Sequence, residues 1–285
     1  MLDAGLGERQ YTSIRCFDAI RGGTYPDRSF DEGDVMPETR QAMRAAEDAV
    51  PTQQRLTDAA LTLFAAKGFA ATGIREIAEG AGLSSAALYH YMGTKEDLLV
   101  HLMSEGLRRF VEAGRRALSD VVGPERHIVA LTRVHVATEA VMRRMSLVID
   151  GEVRSLTDGA GVFGLRDDYE ALWAHTISMG ATAGVFDVAD PRLARLALVE
   201  MCNGVAHWFS PHGQLSLSEV CDHFADMALA LLGARDRVTG QPVTCATLEM
   251  RPAMHEIAIV RASFGSFGSP DIPIDSSTDS REARD

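Results

Sequence analysis

From residue 52 to residue 233 apolar side chains return every three or four positions. That is the period of a helix with one buried face, and no alternating run long enough for a strand interrupts it. Leu56, Ala60, Leu63 and Phe64 share one face of a first helix that Thr52 caps and Gly68 ends. Thr72 reads as the cap of a second helix, Gly73 to Glu79, and Ser84 as the cap of a third, Ser85 to Tyr91. Thr94-x-x-Asp97 is a capping-box variant that opens a long fourth helix through Leu98, Leu102, Leu107 and Phe110, stopped by Val122-Gly123-Pro124. A fifth helix is predicted from Glu125 to Val148, with a short one near Asp150 to Leu156. Another runs from Leu165 to Ala183. Asp190-Pro191 begins the next, which extends to Phe209, and Ser216-x-x-Glu219 begins the last, which ends at Gly233. The pattern predicts an all-α chain of about nine helices.

Both ends depart from it. Residues 1–50 and 234–285 are rich in breakers and short of periodicity, so both are expected to be disordered tails. Met36 and Met43 are plausible alternative starts of translation. Val243 to Val260 keeps enough apolar residues for loose packing or a short strand.

Residues 73–92 have the spacing of a helix-turn-helix: small Ala78 where two helices cross, Gly82 in the turn, and apolar Leu88 pointing back inside. With Leu88 inward, Ser85, Ala86, Tyr89 and His90 face outward, with Ser84 and Tyr91 at the ends of the helix. Serine and histidine can bond base edges, and alanine can touch a thymine methyl. Around this core stand Leu63-Phe64…Gly68, Thr72, Ile77-Ala78…Ala81-Gly82, Leu88-Tyr89-His90-Tyr91 and Thr94-Lys95-Glu96-Asp97-Leu98. The whole pattern resembles the DNA-binding domain of the TetR/AcrR family of bacterial repressors. The resemblance implies that Tyr89, Lys95 and Thr72 contact phosphates. This chain departs from the family at Met92, where phenylalanine is usual, and Gly73 weakens the start of its helix.

Charge gives this reading no help. The net charge is −12. Between Thr52 and Met103 four basic residues (Arg55, Lys67, Arg75, Lys95) meet five acidic ones. DNA binding must then rest on the placement of Arg75, Lys95 and helix N-termini, and nonspecific affinity should be low. Cys16, Cys202, Cys221 and Cys245 lack metal or redox spacing, and nor do the nine histidines form a standard zinc pattern, so no metal or other cofactor is expected. The thiols suit a reducing cytoplasm. No apolar run is long enough to span a bilayer, and no membrane partner is expected.

Two apolar stripes near the end suggest self-association: Leu193, Ala197, Met201, Gly204 and Trp208, then Val220, Phe224, Met227 and Leu231. Read alone they could equally be the core of a monomer. The family resemblance implies a homodimer through a four-helix bundle of these two helices and their symmetry mates. The middle helices should enclose a ligand. The candidates are Met142, Met145, Phe163, Tyr169, Trp173, His175 and Met179, an apolar, methionine-rich and aromatic set, with Arg154 and Arg166 as anchors for an anionic end.

Glu152-Val-Arg154, Arg166-Asp-Asp-Tyr169, Trp173, Gly180, Gly184-Val-Phe186, Asn203-Gly-Val and Trp208-Phe resemble the KstR-like branch of the family. There the inducer is often a coenzyme A thioester. The resemblance implies three parts: a DNA-binding domain at 51–98, a ligand-binding and dimerisation domain at 99–233, and the two tails. It implies a repressor, not an enzyme, released from a palindromic DNA operator by a small molecule such as an acyl-CoA. A multidrug sensor is the alternative, and an all-helical enzyme or lipid carrier with a vestigial DNA-binding domain a more remote one. No Walker, Rossmann or Gly-x-Ser-x-Gly fingerprint is present.

Overall fold

The computed structural model describes residues 51–156, 159–265 and 267, which form one compact unit. Residues 1–50, including Cys16, and residues 268–285 lie outside the described residues, as do the expectations made for them.

Among the described residues every regular element is helical. The first three helices are α1 (Thr52–Lys67), α2 (Ile74–Gly80) and α3 (Ser85–Met92). The long α4 (Lys95–Ser119) follows. Its start is a reciprocal box: the Asp97 amide donates to Thr94 Oγ1 at 3.1 Å, and the Thr94 amide to Asp97 Oδ2 at 2.8 Å. Then come α5 (Pro124–Val141), α6 (Arg143–Glu152) and α7 (Ala160–Thr182). The last group is α8 (Pro191–Asn203), the single turn α9 (Val205–Trp208), α10 (Leu217–Leu231) and α11 (Met254–Phe264).

Helix α5 is the axis of the molecule. Every residue from Ile128 to Val141 is buried, and α4, α7, α10 and α11 pack around it. A helix covered on all sides should be apolar all round. This one carries Thr132, Arg133, His135, Thr138 and Glu139. Thr132 and Thr138 donate back to the carbonyls of Ile128 and Val134 at 2.8 and 2.7 Å. Arg133 meets Asp222 at 2.6 Å and Glu256 at 3.5 Å.

Several predicted boundaries move; the helix expected to begin at Leu165, for one, already starts at Ala160. Thr52 is the first helical residue after a Pro51 cap, not the cap itself. The helix expected from Glu125 to Val148 breaks at Met142 (φ −111°, ψ 40°), so α6 leaves the α5 axis and docks on α1. The helix expected to reach Phe209 breaks at Gly204. The largest correction concerns the C-terminal tail. Residues 234–265 and 267 fold against the body, through an antiparallel bridge between Arg235 and Pro242 and then α11. Cys245, Ile257, Ile259, Val260 and Phe264 are buried. The local pattern is too short and broken to announce a helix; burial against α4 and α5 supplies what propensity lacks.

Candidate DNA interface and effector chamber

Helices α2 and α3 meet at the predicted crossing. Ala78 and Leu88 are buried, and Gly82 has φ +66°, a left-handed conformation that favours glycine. Ser84 Oγ accepts the Ala87 amide at 3.2 Å and so caps α3. Opposite Leu88, the face formed by Ala86, Tyr89, His90 and Tyr91 is open, with Tyr89 53% and Tyr91 56% exposed. Ser84 is exposed, Ser85 half-buried, and Arg75 is exposed on α2. Exposed aromatic hydroxyls beside a capped helix N-terminus can reach phosphates, while Ala86 and His90 are free of the core and can reach base edges. Met92 packs half-buried against the core.

Two predicted phosphate contacts are placed differently. Thr72 is 2% exposed, and its hydroxyl donates to the Gly68 carbonyl at 2.8 Å. The cap of α2 is Gly73, whose amide the Glu76 carboxylate accepts at 2.7 Å. The Lys67 ammonium hydrogen-bonded to that carboxylate, with the Gly73 amide, holds Glu76 below the usual carboxylate range. Lys95 turns inward as well. Its Nζ donates to the carbonyls of Phe69 and Thr72 at 2.8 and 2.9 Å and lies 4.2 Å from the centre of the Phe69 ring. Spacing finds such residues but cannot say which way a long side chain turns.

Helix α6 ties this domain to the rest. Arg144 donates to Thr62 Oγ1 on α1 at 2.7 Å, and Glu152 Oε1 accepts the Phe69 amide at 2.7 Å. The face of α6 turned away from those contacts carries Ser146, Ile149 and Asp150 into a small chamber of about 40 Å³. Leu107 and Phe110 of α4, His135 and Glu139 of α5, Arg166 and Tyr169 of α7, and Val199 and Asn203 of α8 complete its lining, with Glu170 at its edge.

The expectation of an apolar, methionine-rich pocket is corrected for this chamber, because eight of its twelve lining residues are polar and none is methionine. The Tyr169 hydroxyl lies 3.1 Å from His135 Nδ1, and His135 Nε2 lies 2.9 Å from Asn203 Oδ1. A neutral His135 protonated on Nε2 satisfies both contacts. Glu139 is 2% exposed, and desolvation pushes its carboxyl up in spite of nearby His135. Among the described residues neither Glu139 Oε2 nor Ser146 Oγ has a hydrogen-bond partner. Asp150 is pushed up to about 7 by desolvation and by the charge of Glu139, although its open access to solvent tempers the effect.

Of the predicted pocket residues, Tyr169 and Arg166 line the chamber. Trp173 is buried behind it with its ring 5.8 Å from His135. Met145 packs at the close approach of α6 to Gly106, and Met142 lies in the core. Phe163 is 44% exposed and His175 is exposed, so both face away, and Met179 lies half-buried outside the lining. The side chain of Arg154 is outside those described. Arg166 is not a free anchor, since Glu170 accepts from it at 3.1 Å and also from Arg195. His135, Glu139 and Asn203 were missed. The available signal was a polar pair four residues apart, 135 and 139, on one face of a helix whose period would place it inside.

Between α4 and α7 runs an open groove of about 350 Å³ lined by Arg108, Arg115 and Arg116, by the acids Glu112 and Asp168, and by Val111 and Leu165. On another side of the molecule Leu193, Ala197, Trp208, Met227 and Leu231 are exposed, with Met201, Gly204 and Phe224 half-buried among them. Trp208 stacks on Phe224 with ring centres 6.0 Å apart, joining the two predicted stripes into one patch. Val220 does not belong to it; at 2% exposure it points into the core.

Comparison with known proteins agrees with this architecture. Residues 56–102 match the family model of bacterial regulatory proteins, tetR family, and residues 122–232 match that of the tetracyclin repressor-like C-terminal domain. The HTH-type transcriptional repressor KstR2 of Rhodococcus jostii is 29% identical over 191 residues, 61% of this chain and 87% of that protein. A bacterial regulatory protein in the tetR family from Rhodococcus RHA1 superposes with a TM-score of 0.61 at 29% identity, covering 65% of this chain and 98% of that one. AibR, solved in complex with isovaleryl coenzyme A and operator DNA, shares the fold with a TM-score of 0.57 at 23% identity, over 62% of this chain and 97% of that one. With both halves of the family's architecture matched in order along one polypeptide, this chain belongs to the TetR family of bacterial regulatory proteins.

Proposed function

We propose that this protein is a ligand-responsive transcriptional repressor that binds a palindromic operator as a homodimer and leaves it when an acyl-CoA occupies the second domain. The observation that carries the reading is the join between two sites. An open recognition face on α3 is attached, through α4 and α6, to helices that line a small chamber. In the dimer, two copies of α3 enter successive major grooves about one turn of DNA apart. Tyr89 and Tyr91 hold the phosphates, and Ser85, Ala86 and His90 address the bases. Lys95 and Thr72 serve the interface by holding the Phe69–Thr72 loop in shape, which is how their inward hydrogen bonds support DNA binding.

The exposed patch of Leu193, Trp208, Met227 and Leu231 is the dimer surface; large apolar residues gathered on one face are the mark of such an interface. The ligand class follows from the α4–α7 seam. Its three arginines, Arg108, Arg115 and Arg116, outnumber the acids Glu112 and Asp168 and suit the phosphates of coenzyme A, while the chamber beside Phe110 and Tyr169 receives the acyl end. A solved protein of the same fold holds a coenzyme A ester together with operator DNA. A repressor that meets its operator on the bacterial chromosome acts in the cytoplasm, and among the described residues no helix is long and apolar enough to cross a membrane.

Mobility shift with DNA from the chain's own promoter, with and without a panel of acyl-CoA esters, tests the reading. Saturable, sequence-specific binding reversed by an ester is expected. Binding that no ester reverses removes the ligand class, and the absence of specific binding removes the repressor.

A further inference from the structure

The segment after α10 lies beyond the part of the chain that the family model covers, which ends at residue 232, yet it is built into the wall of the second domain. We propose that this segment closes the outside of the effector chamber, and that Phe264 sets the bore of the chamber by backing Phe110. The inference rests on the reading that the chamber takes the effector.

Phe110 stands between two environments. On the chamber side its ring meets Tyr169 at 5.5 Å and His135 at 5.9 Å, both edge-on. It also meets Phe264 of α11, at 5.9 Å and 89°. The chamber, about 40 Å³, has room for no more than a few water molecules. Any larger group enters only if a lining side chain gives way. Phe110 is the larger of the two apolar side chains that α4 contributes, and its retreat towards α11 runs into Phe264, itself 2% exposed.

Phe264 is held in turn. Arg109, next to Phe110, donates to the Ser263 carbonyl at 2.6 Å and lies 4.9 Å from the centre of the Phe267 ring. At the other end of α11, Glu256 reaches the buried Arg133 at 3.5 Å. Close-packed interiors yield only where a neighbour can move, so the size of the group admitted past Phe110 is decided by the residue at 264.

The test uses the full chain with Phe264→Ala and Phe264→Leu, each first checked by thermal melting and sedimentation for a folded state like the wild type. Acetyl-, isovaleryl-, octanoyl- and palmitoyl-CoA are titrated by calorimetry. For Phe264→Ala, affinity for the bulkier esters should rise about tenfold or more relative to the smallest, with Phe264→Leu between it and the wild type. An unchanged ranking in folded variants overturns the proposal.

A second measurement needs no effector. Trp173 packs on His135, the ring that Phe110 covers, and is fully buried. In a Trp208→Phe background, so that Trp173 alone reports, Phe264→Ala should raise acrylamide quenching by about twofold or more as the wall loosens. Quenching that stays at the wild-type level means that residue 264 does not govern the chamber. If the wild type binds none of the four esters, the acyl-CoA reading fails, and quenching alone decides the wall.

Discussion

The Glu152 carboxylate accepts a hydrogen bond from the Phe69 amide at 2.7 Å across 83 residues of sequence. On the other side of the same residue, Lys95 donates to the Phe69 carbonyl at 2.8 Å. The loop between α1 and α2 is therefore gripped both by the helix that lines the chamber and by the helix that spans the two domains. A displacement of α6 or α4 by an effector reaches the recognition helix through this loop, which makes a shift between two DNA-spacing states mechanically direct.

Glu152→Ala should loosen that grip. The expected loss is about 1.5 kcal/mol, the low end for a hydrogen bond to a charged group, because the site is partly solvated. Hydrogen exchange should quicken in residues 52–92 and stay unchanged in α5 and α7. Equal loss of protection in both regions would mean that Glu152 supports the whole fold.

Lys95→Ala separates positioning from phosphate contact. With its ammonium spent on two carbonyls, the substitution should lower the melting temperature and weaken binding to every DNA sequence. The slope of log affinity against log salt should change by well under one. A fall of about one would assign the ammonium to a phosphate in the complex.

Ending the chain at residue 236 should abolish cooperative unfolding at ordinary temperature. The cut removes Ile257, Ile259, Val260 and Phe264 from the core and leaves Arg133 with Asp222 alone. Burying each such side chain is worth about 1.5–3 kcal/mol, and a domain's whole stability is about 5–15 kcal/mol. A calorimetric scan of the shortened chain with a single sharp transition near that of the full chain would contradict the structural role of α11.

Leu193→Glu should give a folded monomer. Leu193 is 63% exposed, so the substitution leaves the core intact and places a charge in the apolar patch shared with Trp208 and Met227. Sedimentation velocity reads the outcome, and operator binding should weaken because each half-site is then bound alone. A dimer of unchanged strength would move the interface elsewhere.

Glu139 gives a pH dependence with a definite sign. Its folded pKa is raised by desolvation, so between the ordinary carboxylate pKa and that raised value the folded state holds a proton which the unfolded state has released. Stability therefore falls as pH rises through that window. Glu139→Gln keeps the shape and removes the titration, so its stability should be flatter over the same range. Denaturant melts of both proteins from pH 4.5 upward check this; parallel curves would remove Glu139 as the source.

Local chemistry was enough for the helical class, most helix starts and the helix-turn-helix. Capping pairs such as Thr94 with Asp97 and Ser216 with Glu219 act over three residues, and the inward Leu88 follows from helical period alone. The outer face of α3 was legible for the same reason, whereas period alone could not tell the Leu193 and Leu231 stripes from the core of a monomer, and Val220 proved to be core. The sequence could not announce what depends on packing partners far along the chain. Thr72 and Lys95 turn inward because carbonyls of the Gly68–Thr72 loop are presented to them. The chamber is polar because α5 is buried on all sides and brings His135 and Glu139 against Asn203, Tyr169 and Ser146 from three other helices. Helix α11 exists because α4 and α5 offer it an apolar face and a buried guanidinium to pair. A helix with so faint a period of its own is stabilised mainly by the surface it covers, and that surface is a property of the tertiary structure.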